Sequence, residues 1–199
     1  MVTLVVHHWV RDFATWKPVF DQHEDVRRGH GEVEHRIYQD IHEPNRVVIH
    51  NDFPSEEAAR SFMTDPSLPE AMERGGVEGD PGIGLTERTD QKHYADGTVA
   101  VTLVVHHRVH DFDVWKPVFD EHEGVRRSHG ALGHRIYQVL GDPLGVVIHN
   151  DFPSEAAALA FRDDPSLPEA MERGGVDGEP GTGLINCTER KVYVAPAVA

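Results

Sequence analysis

A single cysteine, Cys187, in 199 residues excludes an intrachain disulfide and any cysteine-built metal cluster. Cationic side chains are scarce: 19 Lys and Arg stand against 34 Asp and Glu, a formal net charge of -15. The chain therefore lacks the basic face with which proteins displace counterions from nucleic acid, and it is ill suited to anionic membrane surfaces. No apolar run approaches the roughly 18 residues of a membrane span. The N-terminal MVTLVVHHW has neither the basic segment nor the cleavage pattern of a secretory signal, which makes the cytoplasm the expected compartment. GxGxxG, P-loop, HExxH and GxSxG patterns are all missing, so nucleotide binding and the common hydrolase chemistries have no support. What is left, 39% hydrophobic and 27% charged residues, is ordinary globular composition.

What the chain does have, it has twice. VTLVVHHWVRDFATWKPVFDQHEDVRRGHG from Val2 returns from Val101 as VTLVVHHRVHDFDVWKPVFDEHEGVRRSHG, and the match runs without a gap to Leu85 and Leu184, with about 60 of 84 aligned positions identical. The offset is 99 residues, too long for a solenoid unit and suited to two copies of a small domain. The expected domains are residues 1–94 and 101–199, joined by a linker at 95–100. Ile185, Asn186 and Cys187 read as an insertion in the second repeat, between GL and TER.

Within the first repeat, Val2–Trp9 alternates as a strand rich in β-branched residues, and Asp12 is a suitable N-cap for a helix from Phe13 to about His30. Val33–Ile41 and Arg46–Phe53 predict a hairpin turning at Pro44-Asn45. A second helical region from Pro54-Ser55 is broken at Asp65-Pro66, because a residue before proline avoids helical geometry. After a glycine-rich stretch, LTERTDQKHY predicts a fourth strand. The order β-α-β-β-α-β is that of a ferredoxin-like α+β domain, a four-stranded antiparallel sheet with helices on one face. Two tandem copies can bury their bare sheet faces against each other, so an intramolecular dimeric α/β barrel, a pseudo-dimer within one chain, is expected.

Fifteen histidines are the second anomaly, and most occupy matched positions in the two repeats. At 100° per residue, His23 falls with Trp16 and Arg27 in the middle of the apolar stripe of the first helix. Strand alternation puts Leu4, Val6 and His8 on one face, and the rows through His35 and Asn51 on the same side by polarity. His8, His23, His35 and Asn51 are thus expected to converge among Trp16, Phe20, Arg27 and Phe53. A one-residue error of parity would exchange His8 for His7, and Asn51 for His50 or Asp52. Arg36, Asp52 and Tyr38 on the opposite rows read as structural, as does the DPSLPEAMERGGV stretch shared by both repeats, with Leu68, Ala71 and Met72 inward. A core histidine bonded to a backbone carbonyl is the plainest alternative for His23.

These residues also carry a resemblance. The stretches HHWVRDFATWKPVFDQH, RIYQ...VVIHNDF and FMTDPSLPEAMERGGV, with their second-repeat counterparts, resemble the dimeric α/β-barrel superfamily, in particular its antibiotic-biosynthesis-monooxygenase-like branch, over nearly the whole chain. The resemblance implies the fold, and it matches the strand histidine, tryptophan and helix histidine of single-domain relatives at His8, Trp16 and His23. It does not fix a reaction, because the superfamily spans cofactor-independent monooxygenases, polyketide cyclases, haem enzymes and stress proteins. The leading expectation is a cofactor-independent monooxygenase acting with molecular oxygen on an aromatic or polyketide intermediate, with ring closure by a cyclase as the alternative. His23 and His122 would be general bases, His8 and His107 their hydrogen-bonded partners or second acids, and Asn51 and Asn150 oxyanion donors. Substrate would rest on Trp16, Phe20, Arg27, His35 and Phe53, and in the second repeat on Trp115, Phe119, Arg126, His134 and Phe152. No cofactor is expected. A metal site built from His8, His23 and His35 is disfavoured because no acidic residue is foreseen beside them; a non-catalytic binder of small molecules is the third class.

Overall fold

The computed structural model describes residues 1–193; residues 194–199 of the expected second domain lie outside them. The described residues fold into two compact units, one made of Met1–Glu87 and the residues from Cys187 onward, the other of Arg88–Asn186. The first repeat supplies β1 (Val2–Val10), α1 (Phe13–Gln22), α2 (Glu24–Gly29), β2 (Glu34–Asp40), β3 (Arg46–Phe53), α3 (Glu56–Met63), α4 (Leu68–Arg74) and β4 (Val77–His93). The second supplies β5 (Val101–Val109), α5 (Phe112–Glu121), α6 (Glu123–Ser128), β6 (Gly133–Val139), β7 (Asp142–Phe152), α7 (Glu155–Arg162), α8 (Leu167–Arg173) and β8 (Val176–Val192). Each repeat is β-α-β-β-α-β with both helical segments in two pieces, and the class is α+β. Among the described residues no helix is long and apolar enough to cross a membrane.

The units divide inside β4 and β8, not at 95–100. In the first unit the strand order is β4, β1, β3, β2 and the last part of β8; in the second it is β8, β5, β7, β6 and the last part of β4. Residues expected as linker belong to the second unit: Ala95 donates to the Leu132 carbonyl and Ala100 to that of Phe152. Thr188 Oγ1 donates to the Ile37 carbonyl just as Thr89 Oγ1 does to that of Ile136. The 99-residue offset therefore persists to the strand ends, and Ile185, Asn186 and Cys187 are no insertion: Cys187 is the counterpart of Arg88.

Local chemistry explains the elements. Asp12 is extended, and its carboxylate accepts from the Thr15 amide at 2.9 Å, while Asn45 Oδ1 from the β2–β3 turn accepts from the Phe13 amide at 3.1 Å. Two of the amides that a helix start leaves orphaned are thus satisfied. The expected single helix to His30 is interrupted at His23. Arg27 Nη1 donates to the Phe20 carbonyl at 2.6 Å, taking the acceptor that Glu24 would need, and a side chain inserted into the ladder breaks a helix. Arg126 does the same to Phe119 at 2.8 Å.

The fourth strand begins earlier than expected, at Val77, and includes the glycine-rich stretch. Opposite β1, His7 pairs with Gly82 and Trp9 with Glu78, so Gly79, Asp80 and Pro81 bulge across from His8. Gly79 supports the bulge with φ +68, and the His7 imidazole lies where a Cβ on Gly82 would sit, at 1.9 Å; both positions demand glycine. Between α1 and the sheet, Val10, Trp16, Ile37, Val47 and Ile49 form the core of the first unit, with Val6, Phe13, Phe20 and Val77 packed on it. The second unit repeats it around Trp115.

Candidate functional site

In the first unit a cavity of about 360 Å³ opens between the sheet face of β1 and β3, helix α1 and the α3–α4 segment; its wall includes Leu4, Val6, His8, Trp16, Phe20, His23, Arg27 and Asn51. The bulge in β4 adds Pro81 and Ile83 beside His8. The expected strand parity holds: His8 and Asn51, not His7 and His50, face this space.

His8 is 7% exposed, and neither ring nitrogen has a hydrogen-bond partner. Its ring meets Trp16 edge-on, with centroids 5.8 Å apart. Burial, and secondarily the neighbouring His7, lowers its pKa from 6.5 to about 4, so His8 is neutral at pH 7. Asn51 Oδ1 and Arg27 Nη2 are likewise buried without partners. Unmatched buried polar atoms cost about 1–3 kcal/mol each, and a ligand polar group is the usual means of offsetting such a cost in an apolar cavity. Arg27 is held in place by Glu32 Oε2 at 3.1 Å, by the Phe20 carbonyl and by the Phe20 ring at 3.7 Å from its Cζ.

His23 is part of a chain of bonds rather than an isolated core histidine. Its Nε2 lies 2.8 Å from Ser67 Oγ, and Ser67 Oγ donates to Asp65 Oδ1 at 2.5 Å. The Ser67 hydroxyl, followed by His30, holds the Asp65 carboxyl well below the usual carboxylate range. An ionised Asp65 can only accept, so Ser67 must donate to it and His23 Nε2–H must donate to Ser67; Nδ1 is left as the basic nitrogen. His30 Nε2 reaches the other oxygen of Asp65 at 2.8 Å, and His30 Nδ1 lies 2.9 Å from Ser61 Oγ. Burial, then the Arg27 charge, lowers the His23 pKa, with Asp65 acting in the opposite sense.

The second unit reproduces the arrangement around a cavity of about 450 Å³ lined by His107, Trp115, Phe119, His122, Arg126 and Asn150 among others. Both nitrogens of His107 are unpartnered, its ring is 5.7 Å from that of Trp115, and burial lowers its pKa to about 4. His122 Nε2 is 3.3 Å from Ser166 Oγ, which donates to Asp164, and Asp164 also meets His129 Nε2 at 2.7 Å.

Several expectations are corrected. His35 and His134 do not line the cavities. His35 lies behind Phe20, with Nε2 on Glu189 at 2.8 Å and Nδ1 on Tyr193 at 2.9 Å; His134 bonds Asp90 and Tyr94 in the same way. Acidic partners thus do exist for these histidines, contrary to expectation. Phe53 and Phe152 are also absent from the cavity walls, being consumed by packing on Phe62 and Phe161. His8 and His23 are not hydrogen-bonded to each other, nor are His107 and His122. Ser67, Asp65 and His30 were not foreseen, although the tripeptide Asp65-Pro66-Ser67 recurs unchanged as Asp164-Pro165-Ser166. Arg36 pairs with Asp52 at 2.6 Å, and Thr3 donates to the same carboxylate, in line with a structural role. Among the described residues no group of three His, Cys, Asp or Glu side chains is placed to hold a metal ion.

No family model and no curated protein matches the sequence. Solved structures do match. An anthrone oxidase-like protein aligns over 96% of this chain and 92% of its own, with TM-score 0.70 at 13% identity. A candidate monooxygenase from Fusobacterium nucleatum aligns over 96% and 94%, with TM-score 0.63 at 9% identity. A ferredoxin fold protein from Listeria monocytogenes related to antibiotic biosynthesis monooxygenases aligns over 95% of each chain, with TM-score 0.51 at 9% identity. At such identities the likeness is one of fold, and it spans both repeats: this chain has the ferredoxin-like α+β fold of the antibiotic-biosynthesis-monooxygenase-like proteins, as a tandem of two βαββαβ repeats.

Proposed function

We propose that the two cavities are active sites of a cofactor-independent monooxygenase for a planar phenolic or anthrone-type intermediate. The observation that carries the reading is the pairing, in each cavity, of an aromatic wall with a histidine tied through serine to an ionised aspartate. Such a histidine is a general base whose conjugate acid is supported by a remote anion. Cavities of about 360 and 450 Å³ lie within the range of small-molecule sites, roughly 300–1,000 Å³. The similarity to an anthrone oxidase-like protein accords with the substrate class.

In this reading His23 Nδ1 removes one proton from a methylene carbon conjugated through the ring to a carbonyl, and the displaced charge settles on the carbonyl oxygen. The Asn51 amide and the Arg27 guanidinium serve as donors to that oxygen. The carbanion transfers electrons to molecular oxygen, a carbon–oxygen bond forms, and the peroxide takes up a proton. Loss of the second methylene proton with cleavage of the oxygen–oxygen bond then releases water and leaves a ketone. One dioxygen is consumed for each methylene converted to a carbonyl with one water formed. His8, neutral and in the apolar part of the wall, positions the ring and keeps its site free of positive charge.

The test is oxygen uptake with anthrone and with a naphthol. The wild-type chain should consume one dioxygen per product. His23→Ala with His122→Ala should lose roughly 100-fold or more, the scale of a general base, while each single variant retains the other site. Ring closure without oxygen uptake would assign the same base to a cyclase, and unchanged turnover in the folded double variant would sink both.

A further inference from the structure

The two cavities differ in one buried charge. In the first unit Arg27 (1% exposed) is neutralised by Glu32, itself 4% exposed, at 3.1 Å. At the position of Glu32 the second repeat has Ala131, also buried. Arg126 is as buried as Arg27, at 1%, but its partners are neutral: Nε donates to Tyr94 Oη at 3.0 Å, Nη1 to the Phe119 carbonyl at 2.8 Å, and Cζ stands 3.7 Å from the centre of the Phe119 ring. Nη2 has no partner, and Arg126 lines the cavity. Among the described residues no carboxylate forms an ion pair with it: the charges of Asp120 and Glu123 reach Arg126 only from a distance, Asp120 being bonded to Lys116 and Glu123 to Lys92 and Arg127.

A buried guanidinium without a counter-ion is an unusual thing to retain, because charge removed from water is costly unless it is paired. The other charged groups of this cavity wall do not supply the missing anion. Arg162 is exposed and bonded to Asp163, and Glu179 is also exposed, where solvent screens it. Asp90 is taken by Lys116 and His134. The Tyr94 phenol has its pKa raised, chiefly by burial, and is neutral at pH 7.

We infer that the second cavity binds its aromatic ligand as an anion, a carboxylate or a phenolate, with Arg126 as the counter-ion, whereas the first cavity, where Glu32 already neutralises Arg27, takes the un-ionised form. The two repeats are then not duplicates of one site but a pair divided by ligand charge. The inference deepens the reading above and rests on it only in taking both cavities as ligand sites.

The experiment uses the full chain, with 2-naphthoate as an anionic probe and 2-naphthalenemethanol as a neutral one, followed by calorimetry and by histidine and tryptophan NMR signals. The expected result is one naphthoate site per chain, perturbing His107 and Trp115. Ala131→Glu, which installs the missing carboxylate, should weaken that site by roughly 30-fold or more, the usual effect of removing one partner of a buried charge contact. Glu32→Ala should create a second naphthoate site in the first unit; the second unit shows that such an arginine is tolerated without its carboxylate. Neutral probe binding should change less than threefold in either variant. If Ala131→Glu does not fold, Arg126→Met tests the same contact, and the gain in Glu32→Ala decides independently. Naphthoate binding that ignores all three changes, or that occupies both units of the wild type alike, overturns the inference. Charge-dependent binding with no oxygen uptake from anthrone would keep it and discard the monooxygenase reading.

Discussion

The two unpartnered strand histidines should make this protein labile to mild acid. His8 and His107 have pKa values near 4 when folded, against 6.5 in an unfolded chain. The unfolded chain therefore binds a proton at each site in a range where the folded chain does not. Stability is complete above about pH 6.5, falls as the pH drops, and stops falling below about pH 4, where both states are protonated. By linkage, each site removes about 2 kcal/mol between pH 7 and pH 5, so the two remove about 4 kcal/mol, a large share of a typical folding free energy. Urea denaturation at pH 7 and pH 5 measures the loss, and the imidazole proton shifts of the two residues should titrate near pH 4. His8→Leu with His107→Leu should remove most of that dependence while leaving stability at pH 7 unchanged or raised, since two buried imidazoles without partners are replaced by apolar groups. A double variant that keeps the full wild-type slope between pH 7 and pH 5, or imidazoles that titrate near 6.5, would refute the reasoning.

Two further outcomes follow. Trp16 is 4% exposed and packs on Phe13, Phe20 and His8, so Trp16→Ala should cost about 3–5 kcal/mol in urea denaturation, and a loss below 1 would show that the cavity wall is not part of the core. Ser67→Ala with Ser166→Ala disconnects the base from Asp65 and Asp164; turnover should fall by about tenfold, and the acid limb of the pH–rate profile should move to lower pH as the imidazolium loses its support. Lower turnover with an unmoved limb would mean that serine serves only packing.

Much of the fold could be read from the chain because repetition and periodicity are local properties. The 99-residue offset identified two copies, alternation of β-branched residues located β1 and the hairpin, and Asp12 and Ser55 are caps whose function lies within three residues of themselves. Alternation also placed His8 and Asn51 on the cavity face, since a strand allows only two orientations. Where an outcome depended on competition between distant partners, local patterns fell short. His35 has the polarity and parity of a cavity residue, yet Glu189 and Tyr193, more than 150 positions away, claim both its nitrogens. The α1–α2 break is set by Arg27 reaching back to a carbonyl, a choice invisible to helix periodicity. Ser67 lies in the DPSLPEAMERGGV stretch, whose pattern reads as packing, and only the packing of α4 against α1 brings its hydroxyl to His23. The composition of Glu32 and Ala131 was in the chain from the outset, but their difference acquires meaning only because the tertiary structure buries each beside an arginine, where one carboxylate more or less decides the charge of a cavity.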